Sequence, residues 1–290
     1  MDERKELPSP GEEKRIFPDE LKELIDASSE GSYTLLDVRQ PFEYEEEHLP
    51  GARPLPLPRL VDSRGELDPG KTIVVYCRLG GRSRMAARLL THLGFGSVYY
   101  LEGGIEGWGG NTAVGPAGFH LKFLRGDETP DEAIGLAYRM EEGLKRFHET
   151  VRGRTRDADL RGLLDRLARA EESHKRALLA LLSSPDERER LLREISEAGP
   201  QPVMEGGIGV EEFMERNAPF FDSLPAYVEL AMGIETQAFD LYLRMADGSA
   251  NEATRRSLLR IADEEKAHMA HLGAFLEEKN EGVRGRALPG

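Results

Sequence analysis

Two hydrophobic periods run along this chain, one in each half. In the first half, short apolar runs alternate with helical stretches. Tyr33–Arg39 (YTLLDVR), Thr72–Tyr76 and Ser97–Leu101 read as strands. Between them, Pro18 opens a helical pattern through Leu21 and Ile25, Pro41–Glu47 reads as a short acidic helix, and Ser83–Leu93 as a helix closed by Gly94. His48-Leu49-Pro50-Gly51-Ala52 is a turn, Ala52–Leu57 a short extended piece, and Glu102-Gly103-Gly104 leads into a last short helix with Trp108. Strands alternating with helices predict a doubly wound, mostly parallel α/β sheet with helices on both faces. Residues 1–15 are charged, contain Pro8 and Pro10, and read as a lead-in.

From Thr129 onward the strand signal nearly vanishes and long helical periods take over. Thr129-Pro130-Asp131-Glu132 is a capping box with proline at the first helical position, and Ser184-Pro185-Asp186-Glu187 repeats it before a helix at Pro185–Glu197. A long connection follows, Gly199–Pro225, with Gly206-Gly207 and a helical piece near Glu211–Arg216. The expected division is a first domain at 1–112, a linker at 113–127, an all-α domain at 128–280 and a frayed tail at 281–290.

The helical half repeats itself at an offset of 94. Glu141 pairs with Glu235, Glu171 with Glu265 and His174 with His268; Leu164, Arg166 and Leu178 are among the other positions with identical partners. Each copy is a helical hairpin, one helix with a lone Glu and the next with Glu-x-x-His. Two hairpins joined by a long connection predict a four-helix bundle with one crossover, the ferritin-like arrangement.

These polar residues sit on apolar stripes. Glu171 and His174 continue Leu160, Leu163, Leu164 and Leu167; Glu265 and His268 continue Leu258 and Ile261. An i, i+3 pair lies on one helix face, and here that face points to the core. Four uncompensated buried carboxylates would cost several kcal/mol each. Shared metal ions remove that cost, and four Glu with two His suit a dinuclear iron or manganese site. A buried salt-bridge network is the alternative. Glu142, Glu172 and Glu264 fall off the stripe and read as solvated. His148 and Tyr242 face the core as satisfied side chains, with a hydrogen bond to a ligand carboxylate open to either. His271 reads as surface.

Composition narrows the class. The chain has 290 residues, is 39% hydrophobic and 32% charged, and carries a net charge of −14. That charge argues against nucleic acid and anionic membranes as partners. The charged N-terminus has no apolar core of a leader, and no run is long enough to span a bilayer, so a cytoplasmic protein is expected. Cys77 is the sole cysteine, which excludes an internal disulfide and a thiolate-cage metal site. It ends the apolar run Ile73–Tyr76 and precedes Arg78, Leu79, Gly80, Gly81 and Arg82, after which a helix begins at Ser83. Loop N–H groups, a helix N-terminus and two arginines favour an anion there, so a reactive thiolate is expected.

Over about residues 15–110 the chain resembles the rhodanese family. Asp37-Val38-Arg39 with Pro41, Glu43-Tyr44 and His48-Leu49-Pro50-Gly51-Ala52 matches the first motif. Cys77 through Arg82 matches the active-site loop of thiosulfate-type sulfurtransferases, and Leu101-Glu102-Gly103-Gly104 with Gly107-Trp108 the closing motif. The resemblance implies a Cys77 persulfide formed from a thiosulfate-type donor. Arg78 and Arg82 would attract the anionic donor, Leu79, Gly80, Gly81 and Arg82 would bind it, and Asp37 and Arg39 would brace the loop. Over about residues 130–277 the chain resembles the rubrerythrin branch of ferritin-like proteins, which implies two iron ions on Glu141, Glu171, His174, Glu235, Glu265 and His268. It departs from that family at Ala238, where a further carboxylate is usual, and in lacking a four-cysteine iron module; Glu205 offers a seventh carboxylate.

Three functions follow. The first is a sulfurtransferase coupled to a di-iron domain, with a small sulfur donor and a thiol or other acceptor as partners. The second is a di-iron oxidoreductase reducing peroxide or dioxygen, with an accessory sulfur carrier. The third is a non-enzymatic persulfide or iron sensor. The two-fold repeat and long crossover allow a homodimer through the helical bundle.

Overall fold

The structure is a computed structural model that describes residues 14–115, 130–197 and 209–286. The chain separates into two compact units, Met1–Ala117 and Gly118–Gly290.

In the first unit five strands make one sheet: β1 (Lys14–Ile16), β2 (Tyr33–Asp37), β3 (Arg53–Pro54), β4 (Thr72–Tyr76) and β5 (Val98–Leu101). Their order is β1-β5-β4-β2-β3, and every neighbouring pair is parallel. β4 is central, and Ile73, Val74, Val75 and Tyr76 are all fully buried. A parallel strand covered on both faces needs such an unbroken apolar run. One face packs Ile73, Val75 and Leu36 against Ala86, Ala87 and Leu90 of α3 (Gly81–His92). The other packs Val74, Tyr76 and Leu35 against Leu21 of α1 (Pro18–Ala27), Tyr44 of α2 (Pro41–Glu46) and Trp108. The sheet is therefore doubly wound.

Part of the expected lead-in is structured. Lys14, Arg15 and Ile16 pair with Tyr99, Tyr100 and Leu101 as an edge strand. Only Ile16 of the three is buried, so the strand has too little apolar content to stand out in the sequence. Residues 1–13, the linker positions 116–127, Thr129 and most of the expected connection, including Glu205 and Gly206-Gly207, lie outside the described residues.

The second unit contains α4 (Pro130–Arg154), α5 (Ala158–Leu181), α6 (Pro185–Glu197), α7 (Val210–Arg216), α8 (Leu224–Gly248) and α9 (Glu252–Arg286). The Asp157 carboxylate caps α5 by accepting from Leu160 N at 2.8 Å, and Ser223 caps α8 through Ala226 N at 3.3 Å. α9 continues to Arg286, where the sequence reading had a frayed tail from 281. The helix passes through Gly282 and Gly285, two residues of low helix propensity. No described helix is long and apolar enough to cross a membrane.

The four long helices share two apolar clusters. One holds Ile134 and Ala137 of α4, Leu178 of α5, Tyr242 of α8, and Leu258 and Ile261 of α9. The other holds Leu144 and Phe147 of α4, Leu160 and Leu164 of α5, Tyr227 and Val228 of α8, and Leu272 of α9. On every helix the residues between the clusters are polar and buried: Glu141, Glu171 with His174, Glu235, and Glu265. The order in which each helix visits the clusters fixes its direction. α4 and α9 run one way, α5 and α8 the other.

Candidate functional site

Cys77 follows the last residue of β4, where parallel sheets bind ligands. Its side chain is buried. Gly80 sits at φ +100°, a left-handed conformation that turns the chain into α3 and aims its N–H at the sulfur, 3.2 Å away. The Ser83 hydroxyl lies 3.6 Å from Sγ and donates to the Gly80 carbonyl at 2.9 Å. Burial pushes the thiol pKa up, but the Ser83 hydroxyl and the N–H groups of Ser83, Leu79 and Gly80 outweigh it and hold the thiol below its ordinary value. Ser83→Ala is expected to shift the pH profile of Cys77 alkylation by iodoacetamide toward higher pH. An unshifted profile would remove Ser83 from the thiolate's support. The sequence reading used Ser83 only as a helix start.

The loop rests on a second glycine turn. Ile105 N donates to the Cys77 carbonyl at 2.9 Å and Glu106 N to the Arg78 carbonyl at 3.2 Å. Gly104 has φ +60°, and a Cβ there would lie 2.3 Å from the Cys77 carbonyl oxygen and 2.4 Å from that of Arg78. Both obstacles are backbone, so the loop would have to move. Gly104→Ala is expected to cost ~4 kcal/mol or more of stability and to displace the thiol; chemical denaturation and Cys77 alkylation would read this.

Asp37 and Arg39 form a buried pair at the end of β2, with Arg39 Nη2 2.7 Å from Asp37 Oδ2 and 2.5 Å from the Glu47 carbonyl. The Arg39 guanidinium also lies over the Tyr76 ring. His48 stacks on Tyr44, with Nδ1 2.8 Å from the Tyr44 carbonyl. These groups tie the end of β2 to the Glu47 carbonyl just after α2 and to Tyr76, the last residue of β4 before Cys77.

Both loop arginines, expected to attract the anionic donor, hold carboxylates in the structure. Arg78 Nε is 2.6 Å from Glu106 Oε1, an exposed pair. Arg82 makes two bonds to Glu43, at 2.7 and 2.6 Å. Such forked pairing is the strong form of the contact.

In the helical unit, the six residues of the expected metal set converge. His174 Nδ1 lies 3.2 Å from Glu141 Oε2, 3.4 Å from Glu171 Oε2 and 3.1 Å from Glu265 Oε1. His268 Nδ1 lies 3.3 Å from Glu265 Oε2 and 3.8 Å from Glu235 Oε2. The two imidazoles stack with centroids 5.0 Å apart. Three overlapping groups each bring their ligand-capable atoms within 4.8 Å of one another: Glu141, Glu171, His174 and Glu265; His174, Glu265 and His268; and His148, Glu171 and Glu235. Burial, resisted by the neighbouring imidazoles, pushes Glu141 and Glu235 up to about 7. Both oxygens of Glu171, Glu235 and Glu265, with Nε2 of His148 and Nδ1 of His268, are buried without a hydrogen-bond partner. Orphaned carboxylates and imidazoles are what a bound cation would satisfy, so this donor set fits a pair of iron or manganese ions.

Further residues reach this site. The Tyr242 hydroxyl donates to Glu141 Oε1. His148 holds Tyr227 OH at 2.8 Å through Nδ1 and turns Nε2 toward Glu171, 3.6 Å away. Positions 148 and 242 are repeat partners, so each copy places one polar side chain by a carboxylate. Glu264, expected to be solvated, reaches His174 Nε2 at 3.3 Å although its side chain is 41% exposed. Glu142 and Glu172 are not simply solvated either. Buried Lys175 holds Glu142 at 2.6 Å and Glu172 at 2.9 Å; Arg146 takes the other oxygen of Glu142, and Lys145 shares the same oxygen of Glu172. His271 is exposed, as expected.

Comparison with known proteins bears on the first unit. The Rhodanese-like domain family matches residues 17–111. Uncharacterized protein YqhL of Bacillus subtilis is 41% identical over 76 residues, 26% of this chain and 60% of its own length. Putative sulfur carrier protein YrkF of the same organism is 37% identical over 92 residues, 32% of this chain and 49% of its own length. The chain thus spans about half to three fifths of these two relatives. Thiosulfate sulfurtransferase GlpE of Pseudomonas syringae pv. syringae is 37% identical over 95 residues, 33% of this chain and 86% of its own length. A parallel sheet ending in a thiol loop and a relative matched over most of its length agree, and through residues 17–111 the chain belongs to the rhodanese-like family.

Proposed function

We propose that the protein is a sulfurtransferase that carries sulfane sulfur on Cys77 as a persulfide. The observation that carries this reading is a buried thiol at the end of β4 that accepts the Gly80 N–H at 3.2 Å beside the Ser83 hydroxyl, surroundings that hold it below its ordinary pKa. The Cys77 thiolate attacks the outer sulfur of a thiosulfate-type donor. The donor's S–S bond breaks and the leaving group departs with the electron pair, as sulfite from thiosulfate. The new terminal sulfur carries the negative charge, and the loop N–H groups stabilise it as they did the thiolate. An acceptor thiolate then attacks that sulfur, and Cys77 leaves as thiolate. With Cys77 the sole cysteine, the acceptor, a thiol or another sulfur acceptor, is a separate molecule. Treatment with thiosulfate or with cysteine persulfide should add one reductant-labile sulfur atom to the Cys77 peptide by mass spectrometry; a peptide left unmodified by both donors would refute the reading.

For the helical unit we propose a ferritin-like, rubrerythrin-type four-helix bundle with two iron ions, or manganese, held by Glu141, Glu171, His174, Glu235, Glu265 and His268. The orphaned buried oxygens support this. Bound iron would supply one-electron chemistry toward peroxide or dioxygen, which is the second reading: an oxidoreductase with an accessory sulfur carrier. Glu141, Glu171, Glu235 and Glu265 would neutralise the ions, Tyr242 would orient Glu141, and His148 would lie beside Glu171. A homodimer through the bundle and a cytoplasmic setting complete the proposal.

A further inference from the structure

We infer that the Cys77 loop selects a singly charged organic persulfide, RSS−, over the dianion thiosulfate, with Glu43 as the residue that sets the preference. The inference rests on the sulfurtransferase reading and names its donor class.

The charges around the sulfur carry the argument. A dianion needs unpaired cations at the mouth, and neither loop arginine is unpaired. Arg82 is forked onto Glu43, whose side chain is only 15% exposed. Glu43 is itself fixed from behind, because its Oε2 accepts from Gln40 N at 2.9 Å. The hydrogen bond from Arg82, with that from Gln40 N, lowers the Glu43 pKa to about 2 against its burial, so it stays ionised. Arg78 holds Glu106 in an open, solvent-screened pair, and Glu46 also acts on Arg78. Glu43, Glu46 and Glu106 thus act on Arg78 and Arg82, the Asp37–Arg39 pair that also reaches Glu43 and Arg82 is neutral within itself, and an incoming dianion meets net repulsion.

The remaining surface suits an organic donor. Leu79 in the loop is 67% exposed, Phe42 beside Glu43 is 62% exposed, and Met85, one turn beyond Arg82 on α3, is 63% exposed. These apolar side chains flank the Glu43–Arg82 pair in sequence on both elements. They offer contact to a carbon skeleton and nothing to a sulfonate. The loop N–H groups satisfy one sulfur-centred charge, which is what RSS− delivers. The transfer balances: Cys77–S− attacks the outer sulfur of RSS−, the Sγ–S bond forms as the donor's S–S bond breaks, RS− leaves with the electron pair, and the transferred sulfur stays on Cys77 as the terminal S−.

The test is single-turnover loading of Cys77 in the full chain, followed by mass spectrometry with thiosulfate and with cysteine persulfide as donors. Glu43→Gln keeps the Gln40 contact and removes the charge that neutralises Arg82. It is expected to raise the ratio of thiosulfate to persulfide second-order loading rates about tenfold, with the gain shrinking as salt is added. Glu106→Gln, at an exposed pair, is expected to raise the ratio about twofold, and serves where Glu43→Gln fails to fold. A ratio that stays constant or falls in both variants overturns the inference while leaving the sulfurtransferase reading in place. Failure of both donors to load wild-type Cys77 overturns that reading and this one with it.

Discussion

Cys77→Ser is expected to abolish sulfur loading, by on the order of 10³-fold or more. Serine is nearly isosteric and would keep the bond to Gly80 N, so the loop should hold its shape. What is lost is the anion. The same donors that lower a thiol pKa leave a hydroxyl far from ionisation at neutral pH, and an alkoxide forms no stable counterpart of a persulfide. No second thiol exists in the chain to substitute. Transfer from thiosulfate to cyanide, with parallel thermal melts to confirm folding, measures this. Substantial transfer by a folded Cys77→Ser protein would remove Cys77 from the reaction.

The second large effect is expected in the helical unit. Ferrous iron under anaerobic conditions, or manganese, should raise its thermal transition by on the order of 10 °C when metal exceeds Kd about a thousandfold, equivalent to ~4 kcal/mol. The gain arises because four carboxylates meet in one buried layer and three of them have no hydrogen-bond partner. A cation there replaces repulsion with attraction. Glu171→Gln keeps the side-chain shape and removes one charge, so it should abolish most of the metal-dependent rise without lowering the metal-free transition. Scanning calorimetry with and without chelator decides it. No metal-dependent shift in the parent protein would count against the metal reading, as would a full shift in Glu171→Gln.

Much of both sites was legible because their signals are local. β4 reads as a strand ending at a thiol, since its unbroken apolar run has no helical period. The Glu-x-x-His pairs stood out because they interrupt leucine stripes twice at equal spacing. What escaped were contacts between distant elements. Glu264 lies off the α9 stripe, and its repeat partner is Ala170, so nothing in the sequence pointed it at His174. The Glu43–Arg82 fork joins residues 39 apart; both lie in recognisable motifs, but their pairing depends on how α2 and α3 meet the sheet edge. Lys175, one residue beyond His174, carries no motif that would single it out, yet it is buried between two glutamates. Edge strand β1 was missed because two of its three residues are charged.

The buried polar layer also governs how the helices can align. On all four long helices it falls between the two apolar clusters. Sliding any one helix by a turn would drive a glutamate among leucines and strand its former partners, at a cost of several kcal/mol. The layer thus acts as a register mark, as a single polar residue does in a coiled coil. Adding or deleting one residue within a long helix, upstream of its glutamate, would rotate that mark by about 100°. The loops between helices, where length changes leave the mark in place, are therefore where this unit can accept insertions.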